Sequence, residues 1–242
     1  MHYILRRKIT VLSILLFGCY FSSHAQLRYL NLEDHDSKPF HFGINLGMNR
    51  SYFNFTRHPQ FINNDSIRGI ESVNSTGLNL AWLVNMRLSD HFSLRTYPLN
   101  LVFTEKAIEY NMSHPNPLLR EDSITTKKIQ GITLAFPVHI KFTSDRINNL
   151  KVYMFAGGKI EYDMAADAGK KKADGLIKLH KLDYGIDAGI GFHIYFPVFV
   201  LSPELKIGWG LRNVHSREEP YKFSNVIDVI NARTLTISLT VE

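Results

Sequence analysis

The chain has 242 residues, 45% of them hydrophobic, with a formal charge of +6 and a single cysteine. That length suits one domain of roughly 200 residues, and a lone cysteine excludes an internal disulfide and any cysteine-based metal cluster. Half of the net charge comes from Arg6, Arg7 and Lys8 near the start of the sequence, so the basic balance is no argument for a nucleic-acid partner.

Met1–Ala25 reads as an export signal. Arg6, Arg7 and Lys8 form a positive start, and Ile9 to Phe21 is an apolar run too short for a comfortable membrane span. Ser23 and Ala25 place small residues where a leader is cut, which predicts cleavage before Gln26. An alternative reads Leu16-Phe17-Gly18-Cys19 as a lipoprotein box with Cys19 acylated, although the bulky Phe17 fits that box poorly. Residues 26–40 are polar and end in Lys38-Pro39, a predicted periplasmic lead-in; 41–242 would then be the folded domain.

From His41 onward the period is two. In the first strand, about His41–Phe53, Phe42, Ile44, Leu46 and Met48 share one face, and Gly43, Asn45, Gly47 and Asn49 the other. A polar segment, Asn54 to Ser75, follows, with Asn63-Asn64-Asp65-Ser66 at its tip. The second strand, Thr76–Leu88, sets Leu78, Leu80, Trp82, Val84 and Met86 against Asn79, Ala81 and Asn85. Ser89-Asp90-His91 predicts a tight turn. The third strand, Phe92–Tyr110, changes phase between Leu94 and Leu99, which predicts a bulge at Tyr97-Pro98 where no ladder donor is needed.

A second long connection, Asn111–Thr126, holds His114-Pro115-Asn116-Pro117. The fourth strand presents Ile132, Leu134, Phe136, Val138, Ile140 and Phe142. A short turn around Ser144 and Asn148 leads to the fifth, with Val152, Met154, Ile160 and Tyr162 on one face. A third long connection carries Lys170-Lys171-Lys172. The sixth strand alternates Leu182, Tyr184, Ile186, Ile190 and Phe192 with Asp183, Gly185, Asp187, Gly189, Gly191 and His193. Pro197 marks a turn. The seventh sets Leu205, Ile207 and Trp209 against Glu204, Lys206, Gly208 and Gly210, with Arg212 next in phase. The last connection, Asn213–Ala232, has room for a short helix at Ser224–Asn231. The eighth strand ends the pattern with Leu235, Ile237, Leu239 and Val241.

Eight strands joined by alternately long and short connections predict an all-β, eight-stranded antiparallel up-and-down transmembrane barrel. Long loops would face outward, short turns the periplasm, with both termini periplasmic in the outer membrane. A lipocalin-like soluble barrel shares the period but turns its apolar face inward. Its exterior would carry many more lysines and glutamates than the Gly-, Asn-, Thr- and Ser-rich polar face seen here. Phe42, Phe103, Phe142, Tyr162, Tyr184 and Phe196 near strand ends suit interfacial girdles, so lipid is the expected surround.

An eight-stranded lumen is nearly filled by side chains. Lys159, Glu161, Asp183, Asp187, His193, Glu204, Lys206 and Arg212 are expected to meet there. A proton or ion path is one reading of them. The other is a compensated network that fills and stiffens the barrel, since buried charges must be paired; this is the one expected. No G-x-S-x-G segment supports a hydrolase, and His139 reads as lumen filling rather than a general base. Asp34-His35-Asp36, in a flexible lead-in, reads as solvated rather than metal-binding. The Lys170–Lys172 run reads as solvated, with anionic lipopolysaccharide or a protein partner as the alternative. No enzyme activity, cofactor, metal, nucleic acid or small-molecule substrate is expected.

Three stretches resemble the PorT family: Phe40–Asn49 (FHFGINLGMN), Lys151–Asp163 (KVYMFAGGKIEYD) and, most specifically, Ser202–Val214 (SPELKIGWGLRNV). The wider class of small porin-like outer-membrane barrels shares the periodicity and a proline near Pro137 but generally lacks the last block. The resemblance runs from about residue 38 to the end. It implies an outer-membrane component of the type IX secretion system, which carries folded cargo across that membrane and in some bacteria supports gliding. It brings no catalytic residues. A filled barrel cannot pass folded cargo, so the implied role is accessory, with outer-membrane lipid, lipopolysaccharide and other secretion components as neighbours. A generic structural or adhesion barrel, and a lipid A-modifying barrel enzyme, are the alternatives.

Overall fold

The computed structural model describes residues 29–59, 61, 66–115, 122–166, 179–216 and 222–242. The expected leader with Cys19, the loop residues Asn63, Asn64, Asp65, Asn116 and Pro117, and Lys170, Lys171 and Lys172 lie outside them. Asn31–Glu242 is one compact unit, distinct from Met1–Leu30.

Nine strand segments build it: β1 (Phe40–Arg57), β2 (Ile67–Val73), β3 (Ser75–Arg87), β4 (Phe92–Met112), β5 (Ile124–Thr143), β6 (Leu150–Asp163), β7 (Leu182–Tyr195), β8 (Val200–Gly210) and β9 (Ile227–Val241). They occupy eight wall positions. β2 and β3 are successive pieces of one position, both antiparallel to β4 and interrupted at Asn74. The order β4-β3-β1-β9-β8-β7-β6-β5 closes through β4–β5. Closure leaves no open edge along the eight-strand ring, which is the condition for placing sheet backbone in hydrocarbon, and β2, beyond it, pairs with β4 alone. The last strand seals against the first, with Ile44 opposite Val241 and Phe55 opposite Ile230.

Alternation decides which side chains go where. Phe42, Ile44, Leu46, Trp82, Ile140, Met154, Ile190 and Ile237 point outward and are exposed, while Asn45, Asn79, Lys141, Tyr153, Asp187 and Thr236 point inward and are buried. The phase change in β4 is a bulge. Pairing slips between Thr96 and Leu101 against β5, and between Thr96 and Leu99 against Val84 and Trp82 of β3. Arg95, Tyr97 and Asn100 all face the lumen in consequence. Pro98 sits in this irregular stretch, where a missing N–H breaks no ladder.

The polar connections are shorter than the sequence suggests. β1 runs to Arg57 and β2 begins at Ile67, so much of Asn54–Ser75 is strand. β4 and β5 likewise extend into Asn111–Thr126. The helix expected at Ser224–Asn231 is a four-residue α1 (Lys222–Asn225), and Ile227 already belongs to β9. The reason is an inversion of amphipathicity along the strands. On β4, Leu99 and Phe103 are exposed on the outer face, but Glu105 and Glu109 continue that same face, while Ile108, Tyr110 and Met112 turn inward and are buried. Past that level the outer face is polar and the interior is an apolar core. Phe53, Ile67, Ile70, Tyr110, Phe223 and Ile230 belong to this core, which fills the far mouth. Lys128 and Glu105 pair at 2.9 Å on its outer wall.

Residues 31–38, expected as flexible, are folded. Glu33–Ser37 form a 3₁₀ turn. The turn is held at the mouth where β1 begins and β9 ends. Asn31 donates from its backbone to Asn149 Oδ1 at 2.9 Å and from its side chain to the Tyr195 carbonyl at 2.9 Å. Arg146 lies over the Tyr195 ring at 3.8 Å and donates to the Asn31 carbonyl. The connections at this mouth, 88–91, 144–149 and 196–199, are all short, and Asn148 adopts the left-handed conformation (φ 57) that its short polar side chain tolerates.

Candidate functional site

Among the described residues, chemistry-bearing side chains converge in the lumen, and they come from nearly every strand. At its centre Arg95, 0% exposed, pairs with Glu204, 4% exposed. Glu204 also accepts the Tyr153 hydroxyl at 2.6 Å. The Arg95 guanidinium lies over the rings of Tyr153 (5.1 Å) and Phe155 (5.7 Å) and has the Glu242 carboxylate at 3.7 Å. A buried carboxylate that keeps its charge needs this kind of compensation.

A second group lies one layer away. Lys159 Nζ bridges Glu161 (2.8 Å) and Asp187 (3.2 Å), and His139 Nε2 stands 3.5 Å from the other Asp187 oxygen. A third group joins Lys141 Nζ to His193 Nε2 at 3.1 Å and His193 Nδ1 to Ser202 Oγ at 2.7 Å. That serine–histidine contact has a lysine where a hydrolase would have an orienting carboxylate, and Ser202 is fully buried.

Of the eight charged residues expected in the lumen, Lys159, Glu161 and Asp187 meet directly, Glu204 pairs with Arg95, and His193 with Lys141. Lys206 Nζ sits 5.7 Å from the Tyr97 ring centroid. Asp183 is buried, and neither of its carboxylate oxygens has a hydrogen-bond partner among the described residues. Arg212 is a correction. β8 ends at Gly210, so Arg212 lies at the rim and donates to the Leu182 carbonyl at 3.1 Å. Sequence reasoning missed Arg95, Lys141 and Tyr153 as members. Each was readable as the polar-face neighbour of an outward apolar residue, but Arg95 sits just before the phase change that obscures its face.

Glycines make this packing possible. On β7, a Cβ at Gly189 would fall 2.5 Å from Phe155 Cζ, and one at Gly191 2.5 Å from Tyr153 Cζ. On β8, a Cβ at Gly208 would meet Asp187 Oδ1 at 2.7 Å and Lys159 Nζ at 2.8 Å. Large side chains of β6 thus fill the room left by small residues of β7 and β8, and the lumen is a core of mixed rings and ion pairs.

At the short-turn mouth, Asp36 accepts Lys151 at 2.9 Å and the Tyr195 hydroxyl at 2.7 Å, with Arg146 at 3.8 Å. Burial alone would raise its pKa. The hydrogen bonds from Tyr195 and Lys151 and the charges of Lys151 and Arg146 outweigh that and hold it below the usual carboxylate value. Burial lowers the pKa of His35 and is only partly offset by Glu242 and Asp36.

Residues 24–216 match the family described as outer membrane protein beta-barrel domain. No curated protein matches the sequence. Among solved structures, the Neisserial surface protein A is similar at 10% identity and a TM-score of 0.44, over 84% of this chain and 99% of that one. OprG of Pseudomonas aeruginosa is similar at 12% identity and a TM-score of 0.41, over 82% and 93%. Ail of Yersinia pestis is similar at 10% identity and a TM-score of 0.37, over 83% and 96%.

Proposed function

The chain belongs to the outer membrane protein beta-barrel domain family, and on that premise we propose that it is a non-conducting, non-enzymatic accessory barrel of the type IX secretion system. Its exposed apolar belt meets outer-membrane lipid. The mouth bearing the short turns, residue 40 and residue 242 faces the periplasm, and the far mouth with its apolar core faces outward. Lipopolysaccharide and other secretion components are its neighbours.

The observation that carries the accessory role is the filled lumen. Arg95, Glu204, Tyr153 and Phe155 close the bore at one level, and Lys159, Asp187 and His139 at the next. A barrel packed this way offers folded cargo no passage, so its work is done at its two ends and outer wall. The secretion assignment rests on the likeness of Phe40–Asn49, Lys151–Asp163 and Ser202–Val214 to the PorT family. Those stretches supply the first half of β1 and most of β6 and β8, and with them Tyr153, Phe155, Lys159, Glu161, Glu204 and the lumen glycine Gly208.

Deletion of the gene in a bacterium that secretes by this route tests the proposal. Cargo with C-terminal sorting signals is expected to remain in the periplasm while the outer membrane stays intact. Normal secretion after deletion would refute the assignment and leave a structural or adhesion barrel. A changed lipid A mass would point to an enzyme instead.

A further inference from the structure

We propose that His35, His41 and Glu242 form a binding site for a divalent transition cation of the zinc class, which fastens the folded lead-in across the barrel mouth. The inference is independent of the secretion assignment.

The three residues come from three separate pieces of chain. His35 lies in the 3₁₀ turn, His41 is the second residue of β1, and Glu242 follows β9. One ligating atom from each lies within 4.8 Å of the other two. Tetrahedral zinc with bonds of about 2.1 Å needs ligand atoms roughly 3.4 Å apart, so small side-chain rotations bring the set onto one ion. The His35 and His41 rings stand edge to face with centroids 4.3 Å apart.

Two further features point to a ligand. His35 Nδ1 and Glu242 Oε1 are both buried without a hydrogen-bond partner among the described residues, Oε1 having only the Arg95 guanidinium at 3.7 Å, and a buried lone pair left without a hydrogen bond costs free energy. The outer shell is also in place. His41 Nε2 lies 3.1 Å from the Lys38 carbonyl, so its proton sits there and leaves the Nδ1 lone pair for a metal. Arg95, 3.7 Å from Glu242, orients the carboxylate. Asp36 is not part of the set, being engaged by Lys151 and Tyr195.

Two imidazoles and one carboxylate select zinc-class cations over calcium or magnesium, which prefer all-oxygen shells. His35, His41 and Glu242 line a cavity at this mouth together with Asn85, Ser93 and Lys141, which leaves room for a water as a fourth ligand. The ion would join the turn to both strands of the closing β1–β9 seam.

The test uses the full chain folded in detergent micelles, with any histidine tag removed and metals stripped by chelator. Zn²⁺ alone is titrated by calorimetry. One ion per chain with a Kd of about 10 μM or tighter is expected. His35→Ala, His41→Ala and Glu242→Gln should each weaken binding about tenfold or more, whereas His114→Ala should not change it. Zn²⁺ should also slow proteolysis within 31–38, and Ca²⁺ should do neither. Folding of each variant is checked by its heat-dependent gel migration, and His41→Gln replaces any alanine variant that fails it. Absence of saturable binding to the parent protein, or binding kept within about threefold in the His35/His41 double variant, overturns the proposal.

Discussion

Replacing Arg95 with methionine is the sharpest probe of the filled lumen. Methionine keeps much of the stem volume and removes the charge. Glu204, with a side chain 2% exposed, then loses its cationic partner and retains the Tyr153 hydroxyl and a weak contact with Thr240 at 3.4 Å. Breaking a buried pair from one side costs about 3–5 kcal/mol, because a charge is left uncompensated. Stacking of the guanidinium over Tyr153 and Phe155 is lost as well. In urea, with a slope of about 2–3 kcal/mol/M, the unfolding midpoint should fall by about 1–2.5 M. Adding Glu204→Gln to Arg95→Met removes the stranded charge, so the double variant should be more stable than the sum of the singles by about 2 kcal/mol or more. Tryptophan fluorescence of protein refolded into micelles across a urea series reads all four species. An Arg95→Met cost under about 1 kcal/mol would mean that water screens the pair as it does at a surface. The bore would then be wet, and the argument for a non-conducting barrel would fall.

Three other outcomes follow from the same geometry. Gly191→Val places a Cβ 2.5 Å from Tyr153 Cζ and 2.9 Å from the Pro203 carbonyl; the clash with backbone predicts loss of the heat-modifiable folded band. Leu46→Arg, in the apolar belt, should cost about 2–4 kcal/mol in bilayer unfolding, whereas Glu109→Arg on the extension should cost about 0–1 kcal/mol; equal costs would refute the inversion between Phe103 and Glu105. The folded pKa of Asp36 is depressed, so its stabilisation is present above the ordinary carboxylate range and lost as pH falls through the folded value. Amide exchange over residues 31–38 should therefore quicken below about pH 4 while the barrel stays protected, and Asp36→Asn should show fast exchange at neutral pH.

The period-two pattern carried the wall of the barrel. Whether Ile44 or Asn45 faces lipid depends on the residue's own position along the strand, and neighbours two apart state it plainly. The Tyr97-Pro98 bulge was legible for the same reason, since one extra residue moves every later side chain to the other face. The loop-end extension was not. Glu105, Ile108, Glu109 and Tyr110 still alternate, but the solvent on each side has changed, and alternation does not say which side is oil. The helix placed over Ser224–Asn231 failed because Val226, Ile227 and Ile230 suit either a helical or an extended core segment. Pairing of β9 with the extension of β1 beyond Phe53, Arg57 opposite Ile227, is what holds Ile227 in a strand.

The sequence by itself therefore determined the barrel plan, the number of wall positions and the polar character of the bore, all of them local properties of alternation. Tertiary structure alone decided the partners. Arg95 meets Glu204 across 109 residues, Arg212 is left at the rim, and His35 comes to lie beside His41 and Glu242. Shear and register bring distant residues to one level of a closed sheet, and those are properties of the ring as a whole rather than of any strand within it.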